Sequence, residues 1–301
     1  GNGYSLTKVG AGTITLGGNN VFSGGVIINT GTLRALHAGA FGTTGAIAVN
    51  NAAILNMNLG GNTLVNTSNI TMGTTAALTS TAAAGVTDVL DNMITLNGTH
   101  TFTSTTATAQ LTLNGNITNS ATNLTITGSG NTLITGTIGS NAGGITKSGT
   151  GTLTLTNANT YTGNTTISAG TLRATNTNAL GTTGTISIAT SSILSLNLGG
   201  AALANANTIT MTGSASIVNN VATGLTDILN NPITLTAAGT QVITSTIAGA
   251  LLQLNGNITN NTAALTINGA GNTTLVGVLG AGSGSLTKAG AGTLSLDAAN
   301  T

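Results

Sequence analysis

The chain has 301 residues, long enough to bury a large interior, yet only 3% are charged, Cys and Glu are absent, and the net charge is +1. This excludes disulfides, thiolate metal sites and any basic surface that could hold nucleic acid or anionic lipid. With 40% hydrophobic residues and a mean hydropathy of +0.36, it also excludes disorder of the charged, apolar-poor kind. A membrane-spanning helix needs about 20 consecutive apolar residues, whereas Thr, Asn or Gly interrupts every apolar run here. No membrane insertion of this segment is expected, and no signal peptide is visible at its start.

In chain order, the first organising stretch is residues 6–33, LTKVGAGTITLGGNNVFSGGVIINTGTL. It returns as residues 145–172, ITKSGTGTLTLTNANTYTGNTTISAGTL, and begins again as residues 286–301, LTKAGAGTLSLDAANT. The correspondence runs well beyond that stretch. Lys8 recurs as Lys147 and Lys288, Arg34 as Arg173, and Asp88 as Asp227; Gly60 and Gly61 recur as Gly199 and Gly200. Ile70-Thr71-Met72 returns as Ile209-Thr210-Met211 at the same offset of 139, and Leu113 returns as Leu254 at 141, so two residues enter near residues 237–252. The period is therefore about 140 residues. The expected layout is one continuous segment, 1–301, with repeat one at 6–144, repeat two at 145–285 and a truncated third repeat at 286–301. A third copy that breaks off inside its motif raises the expectation of a slice of a longer protein.

Within a repeat, short apolar runs alternate with polar residues. Ile14-Thr15-Leu16, Val26-Ile27-Ile28, Thr32-Leu33, Ile47-Ala48-Val49 and Ile54-Leu55 come first. Ile70, Ile94-Thr95-Leu96, Leu111-Thr112-Leu113, Leu124-Thr125-Ile126 and Leu133-Ile134 follow. Their β-branched, period-two character predicts strands, and the Gly and Asn clusters between them predict turns. Residues 81–90, TAAAGVTDVL, are the best helix candidate, with Asp88 in a short helical turn; residues 222–229 are its copy. Strands this short need many neighbours. A parallel β-solenoid supplies them by stacking turns at about 4.8 Å. Stacked Val, Ile, Leu and Ala fill a narrow bore, which accounts for aromatics at only 2%. Turns of roughly 20 to 24 residues would give about 13 turns and a rod on the order of 60 Å. Right-handed coiling is expected from the preference of parallel crossovers. A Thr-rich antiparallel sandwich is the competing fold, and it leaves the scarcity of Pro and aromatics unexplained.

The pattern Leu-Thr-Lys-x-Gly-x-Gly-Thr-Leu-x-Leu, followed by Asn-x-Tyr-x-Gly-x-Thr-x-Ile-x-x-Gly-Thr-Leu, resembles the autotransporter-associated β-strand repeat. Residues 145–172 follow it almost position by position, and Phe22 keeps an aromatic where Tyr161 stands. The resemblance implies a right-handed parallel β-helix exported to the bacterial cell surface, serving as stalk, adhesin or matrix component, with no cofactor.

Catalysis and metal binding find little support. Polysaccharide-cleaving solenoids use clustered carboxylates, and only Asp88, Asp91, Asp227 and Asp297 exist. A pair at Asp88 and Asp91 is conceivable, but Asp91 becomes Asn230 in repeat two and Asp297 corresponds to Thr156, so a cap or turn role is preferred for Asp88 and Asp227. His37 and His100 lack His equivalents: Asn176, and Gly239 or a neighbour, stand there. No catalytic, cofactor-binding or metal-binding residue is assigned. Gly10-Ala11-Gly12 and Gly149-Thr150-Gly151 read as turns, not phosphate loops, because no helix or Gly-Lys-Ser/Thr follows. Lys8, Lys147, Lys288, Arg34 and Arg173 read as solvated or locally hydrogen-bonded positions on one face. Thr pairs such as Thr13/Thr15, Thr152/Thr154, Thr208/Thr210 and Thr234/Thr236 suggest an ice-binding array, but their spacing is not constant. The expected function is a structural or adhesive segment of a long surface protein, with self-association, lateral or end to end, as the first partner reading. Glycans or other cells are the alternative, and a polysaccharide-active enzyme or an ice-binding solenoid ranks lower.

Overall fold

The computed structural model describes residues 3–119, 121–139, 143–236 and 239–301. Among these residues every regular element is a β-strand, and no helix occurs. The strands are three to six residues long and pair in parallel. The chain is a parallel β-solenoid of about 13 turns. It divides into two compact units, residues 1–153 and 154–301.

In unit 1 the first sheet stacks Leu6–Lys8, Val26–Ile28, Ile47–Val49, Ile70–Met72, Ile94–Leu96 and Ile117–Asn119. Each strand is one turn, 20 to 24 residues, beyond the last. The second sheet stacks Thr13–Leu16, Thr32–Ala35, Ile54–Met57, Ala77–Ser80, His100–Ser104, Leu124–Thr127 and Ile145–Lys147. A third begins lower in the unit, with Thr87–Leu90, Gln110–Leu113 and Asn131–Ile134. Alternation of side chains across a strand places one set inward. Val26, Ile47, Ile70, Ile94 and Ile117 form one buried column, and Leu33, Leu55, Leu78, Phe102 and Ile126 another. Burying each such side chain contributes roughly 1.5–3 kcal/mol. Backbone groups at strand ends bond to the next turn as well: Asn29 N–H to Lys8 O, Asn50 to Ile28 and Gly73 to Val49.

Unit 2 repeats the plan. Its first sheet holds Thr165–Ile167, Ile186–Ile188, Ile209–Met211, Ile233–Leu235, Ile258–Asn261 and Leu279–Gly282. Its second holds Thr171–Ala174, Ile193–Leu196, Ser216–Asn219, Thr240–Ser245, Ala264–Asn268 and Leu286–Lys288. Its third holds Thr226–Leu229, Leu251–Leu254, Asn272–Leu275 and Leu294–Leu296.

The structure corrects two expectations. Residues 81–90 and 222–229 do not form helical turns. Thr87–Leu90 and Thr226–Leu229 are strands in which Asp88 and Leu90, or Asp227 and Leu229, point inward. The alanines that suggested a helix belong to the preceding corner, where Val86 N–H bonds to Ala83 O and Gly85 has φ +74°. Pairing along the stack overrides a weak local propensity. Nor do the recurring lysines share one face. Lys8 lies in the first sheet of unit 1 and Lys147 in the second. Stepping a turn at a time from Leu6 through Val26, Ile47, Ile70, Ile94 and Ile117 reaches Ile138. The motif's next copy starts seven residues later, on the adjoining side. The inserted pair of residues falls between Leu235, still aligned with Leu96, and Gly239, which matches Gly98 in its φ of +142° against +146°. Residues 237–238 themselves lie outside the described residues.

Candidate functional site

The residue types that carry chemistry are largely turned inward. Asp88 and Asp227 have no exposed surface. Asp88 accepts the backbone N–H groups of Leu59 at 2.9 Å and Gly61 at 3.2 Å; Asp227 accepts those of Leu198 at 2.8 Å and Gly200 at 2.9 Å. Each carboxylate thereby ties a Leu-Gly-Gly loop to the strand one turn further on, and a carboxylate is suited to this because it only accepts. Burial pushes the Asp227 carboxyl above its usual range, opposed by the N–H groups of Leu198, Gly200 and Ala201. Asp91 points the other way, exposed, and accepts the Asn114 amide at 2.8 Å; Asn230 accepts Asn255 at the same place in unit 2. Asp88 and Asp91 therefore face opposite sides of the chain and form no acid–base pair. Asp297 is exposed near the chain end.

Lys8 and Lys147 are buried, each 2% exposed. Lys8 Nζ donates to the carbonyls of Val9, Gly10 and Thr30, and Lys147 Nζ to those of Ser148 and Gly149. The ammonium fastens the Gly-x-Gly corner, whose carbonyls turn toward it. Burial pulls Lys147 down to about 8. Lys288 makes the same two local bonds, to Ala289 and Gly290, but is exposed.

A second inward set consists of asparagines at the corners. Asn66 Nδ2 donates to the carbonyls of Phe41, Thr44 and Gly45, and Asn92 Nδ2 to those of Asn66 and Ser68. Asn205 and Asn231 repeat both arrangements in unit 2. Outward asparagines do the reverse and accept an N–H from the next turn: Asn116 from Thr137, Asn164 from Thr185 and Asn272 from Thr293. The composition showed abundant Asn, but nothing in it separated these two roles; the 21-residue step to the next turn is the signal that could have. Tyr161, the aromatic of the motif, is buried with its hydroxyl 2.7 Å from Thr165 Oγ1, and burial pushes that hydroxyl far above its ordinary value.

What remains outside is nearly uncharged. Thr71, Thr95 and Thr118 form one outward column in unit 1, and Thr79, Thr103 and Thr127 another. Thr210 and Thr234 pair in unit 2, with the hydroxyls of Thr212 and Thr236 3.1 Å apart. Turns of unequal length still align these residues because the corners absorb the difference. A shallow groove of about 520 Å³ runs along one corner of unit 1, lined by Thr74, Thr75, Gly98, Thr99 and Thr101 together with Ala76 and Ala77. Among the described residues no three His, Cys, Asp or Glu side chains gather in a way that could hold a metal ion. None of those residues forms a helix long and apolar enough to cross a membrane.

Comparison with known proteins gave one match. Residues 6–35, 145–174 and 286–301 match the passenger-associated-transport-repeat family. No curated protein and no solved structure matched the chain. Repeats of this family and β-solenoids built on them are typically non-catalytic, and the family implies a secreted, surface-exposed domain. Three segments similar to this repeat family, carried on a parallel β-solenoid, support an autotransporter passenger repeat protein.

Proposed function

We propose that the chain is a structural and adhesive segment of a long bacterial outer-surface protein, forming part of a stalk, filament or self-associating matrix, and that it has no enzymatic activity. The observation that carries this reading is where the charge goes. Of five basic and four acidic residues, Lys8, Lys147, Asp88 and Asp227 are buried in structural bonds. The outer surface is left with even less charge than the composition suggests. Surfaces of this kind repel one another weakly, while their columns of Thr and Asn offer donors and acceptors to a like surface. Self-association should then depend on concentration and hardly on salt, since there is little charge to screen. Sedimentation velocity on the full chain over a range of concentrations, at low and at molar salt, tests this. Association that persists in high salt is expected; a single monomeric species throughout would sink the proposal.

A second reading, a glycan-binding module, draws on the groove beside Gly98. Its volume falls in the range of about 300–1,000 Å³ typical of small-molecule sites, and Thr hydroxyls line it. A glycan array without hits removes this reading and leaves the first untouched.

A further inference from the structure

Unit 1 contains a buried titratable side chain that unit 2 replaces. His100 begins the strand His100–Ser104 and points into the core at 1% exposure. Its Nδ1 lies 3.0 Å from the Ala76 carbonyl, which can only accept, so Nδ1 carries the proton. Nε2 is buried without a partner. The two strands paired with this one, Ala77–Ser80 and Leu124–Thr127, contribute no ionisable group. Neither do Ile70–Met72 and Ile94–Leu96 on the first sheet, nor Gln110–Leu113 on the third. Asp88, on the third sheet, is committed to Leu59 and Gly61, and Lys147, one turn beyond Leu124–Thr127, to Ser148 and Gly149. A proton added to Nε2 would bring both a charge and an unmatched N–H into an apolar stack, where neither is compensated.

Unit 2 places Gln241 at the equivalent position. Ser104 and Ser245 fix the alignment, since each packs closely against a pair of glycines, Gly128 with Gly130 and Gly269 with Gly271. Gln241 is as buried as His100 and does not titrate.

We propose that His100 is an acid-sensitive latch confined to unit 1: neutral, it holds the corner at Ala76; protonated, it loosens the stack formed by Ala77–Ser80, His100–Ser104 and Leu124–Thr127. Burial lowers the folded imidazole's pKa below the ordinary value of 6.5. The unfolded chain therefore takes up the proton at higher pH than the folded chain. The stability of this stack is complete above about pH 6.5 and declines as the pH falls through that value. Asp227, raised by burial, acts in the opposite sense on acidification. His37 is exposed, with Nδ1 accepting the Gly39 N–H, and serves as a control.

Hydrogen exchange on the full chain, expressed as protection factors to remove the intrinsic pH dependence of exchange, tests the latch at pH near 7.5 and near 5. Protection is expected to fall in the Ala77–Ser80, His100–Ser104 and Leu124–Thr127 strands, with a limit of about tenfold per pH unit for one proton. Ser216–Asn219, Thr240–Ser245 and Ala264–Asn268 should keep theirs. His100→Gln should abolish the fall and His37→Gln should preserve it. An NMR titration of the unmodified chain provides a readout that needs no variant, with His100 expected to titrate below the ordinary imidazole value of 6.5. Equal protection at the two pH values, a fall that survives His100→Gln, or a His100 titrating at or above 6.5 would each overturn the proposal.

Discussion

Asp88 shows how much one residue can hold here. Two oxygens of a fully buried carboxylate accept two N–H groups from a loop a turn away. Asp88→Asn keeps the shape but turns one acceptor into a donor facing an N–H. Leaving a buried donor unsatisfied costs about 1–3 kcal/mol, so the urea midpoint should drop by a corresponding amount. Asp91→Asn should shift stability by less than about 0.5 kcal/mol, because that site is exposed and unit 2 already has Asn230 there with the same contact. If the two substitutions cost the same, Asp88 is not an anchor. From sequence alone a cap or turn role was preferred for Asp88 and Asp227; in the structure both stand inside strands and bond to a loop of the preceding turn. It read Lys8 and Lys147 as solvated or locally bonded; the local bonds exist but the solvent does not. A residue at a fixed offset declares itself structural without declaring which way it points. Orientation follows from the pairing of the next turn.

At the level of strands and corners, alternation and β-branching were enough to locate most strands. Ile14, Val26, Ile47, Ile94 and Leu124 all fall in strands where the pattern put them. His100–Ser104 and Thr87–Leu90 were not recognised, since both place a polar residue inward, His100 and Ser104 in one and Asp88 in the other. Period-two reasoning assumes that inward means apolar, and these strands break that assumption where a side chain has a specific partner. Corners are set by glycine where another turn's backbone comes close. At Gly128, with φ +104°, an added Cβ would lie 1.9 Å from the Ser104 carbonyl, and Gly269 meets Ser245 in the same way. Gly85, with φ +74°, has open space around it. Gly85→Ala should cost about 1–2 kcal/mol from backbone strain alone, whereas Gly128→Ala should cost several times that or prevent folding. Equal melting temperatures for the two variants would mean that the close approach at Gly128 does not exist.

Along the chain, successive turns stack in parallel within each unit. The sequence argued for this from repetition and composition. It could not specify that the motif's copies land on different sheets, because that depends on the residues used by every corner between Leu6 and Ile138. The competing antiparallel sandwich makes a different prediction about neighbours. In the solenoid Thr95 lies beside Thr118, 23 residues away, both facing outward. In an antiparallel hairpin it would lie beside Thr103, on the strand that follows. The chain has no Cys, so paired cysteines report neighbours cleanly. Strands about 4.8 Å apart bring Cα atoms within the roughly 4.4–6.8 Å that a disulfide spans. The most direct measurement is disulfide formation under mild oxidation in the folded double variants Thr95→Cys/Thr118→Cys and Thr95→Cys/Thr103→Cys. The solenoid predicts an intramolecular disulfide in the first and none in the second. A disulfide in the second and none in the first would contradict it.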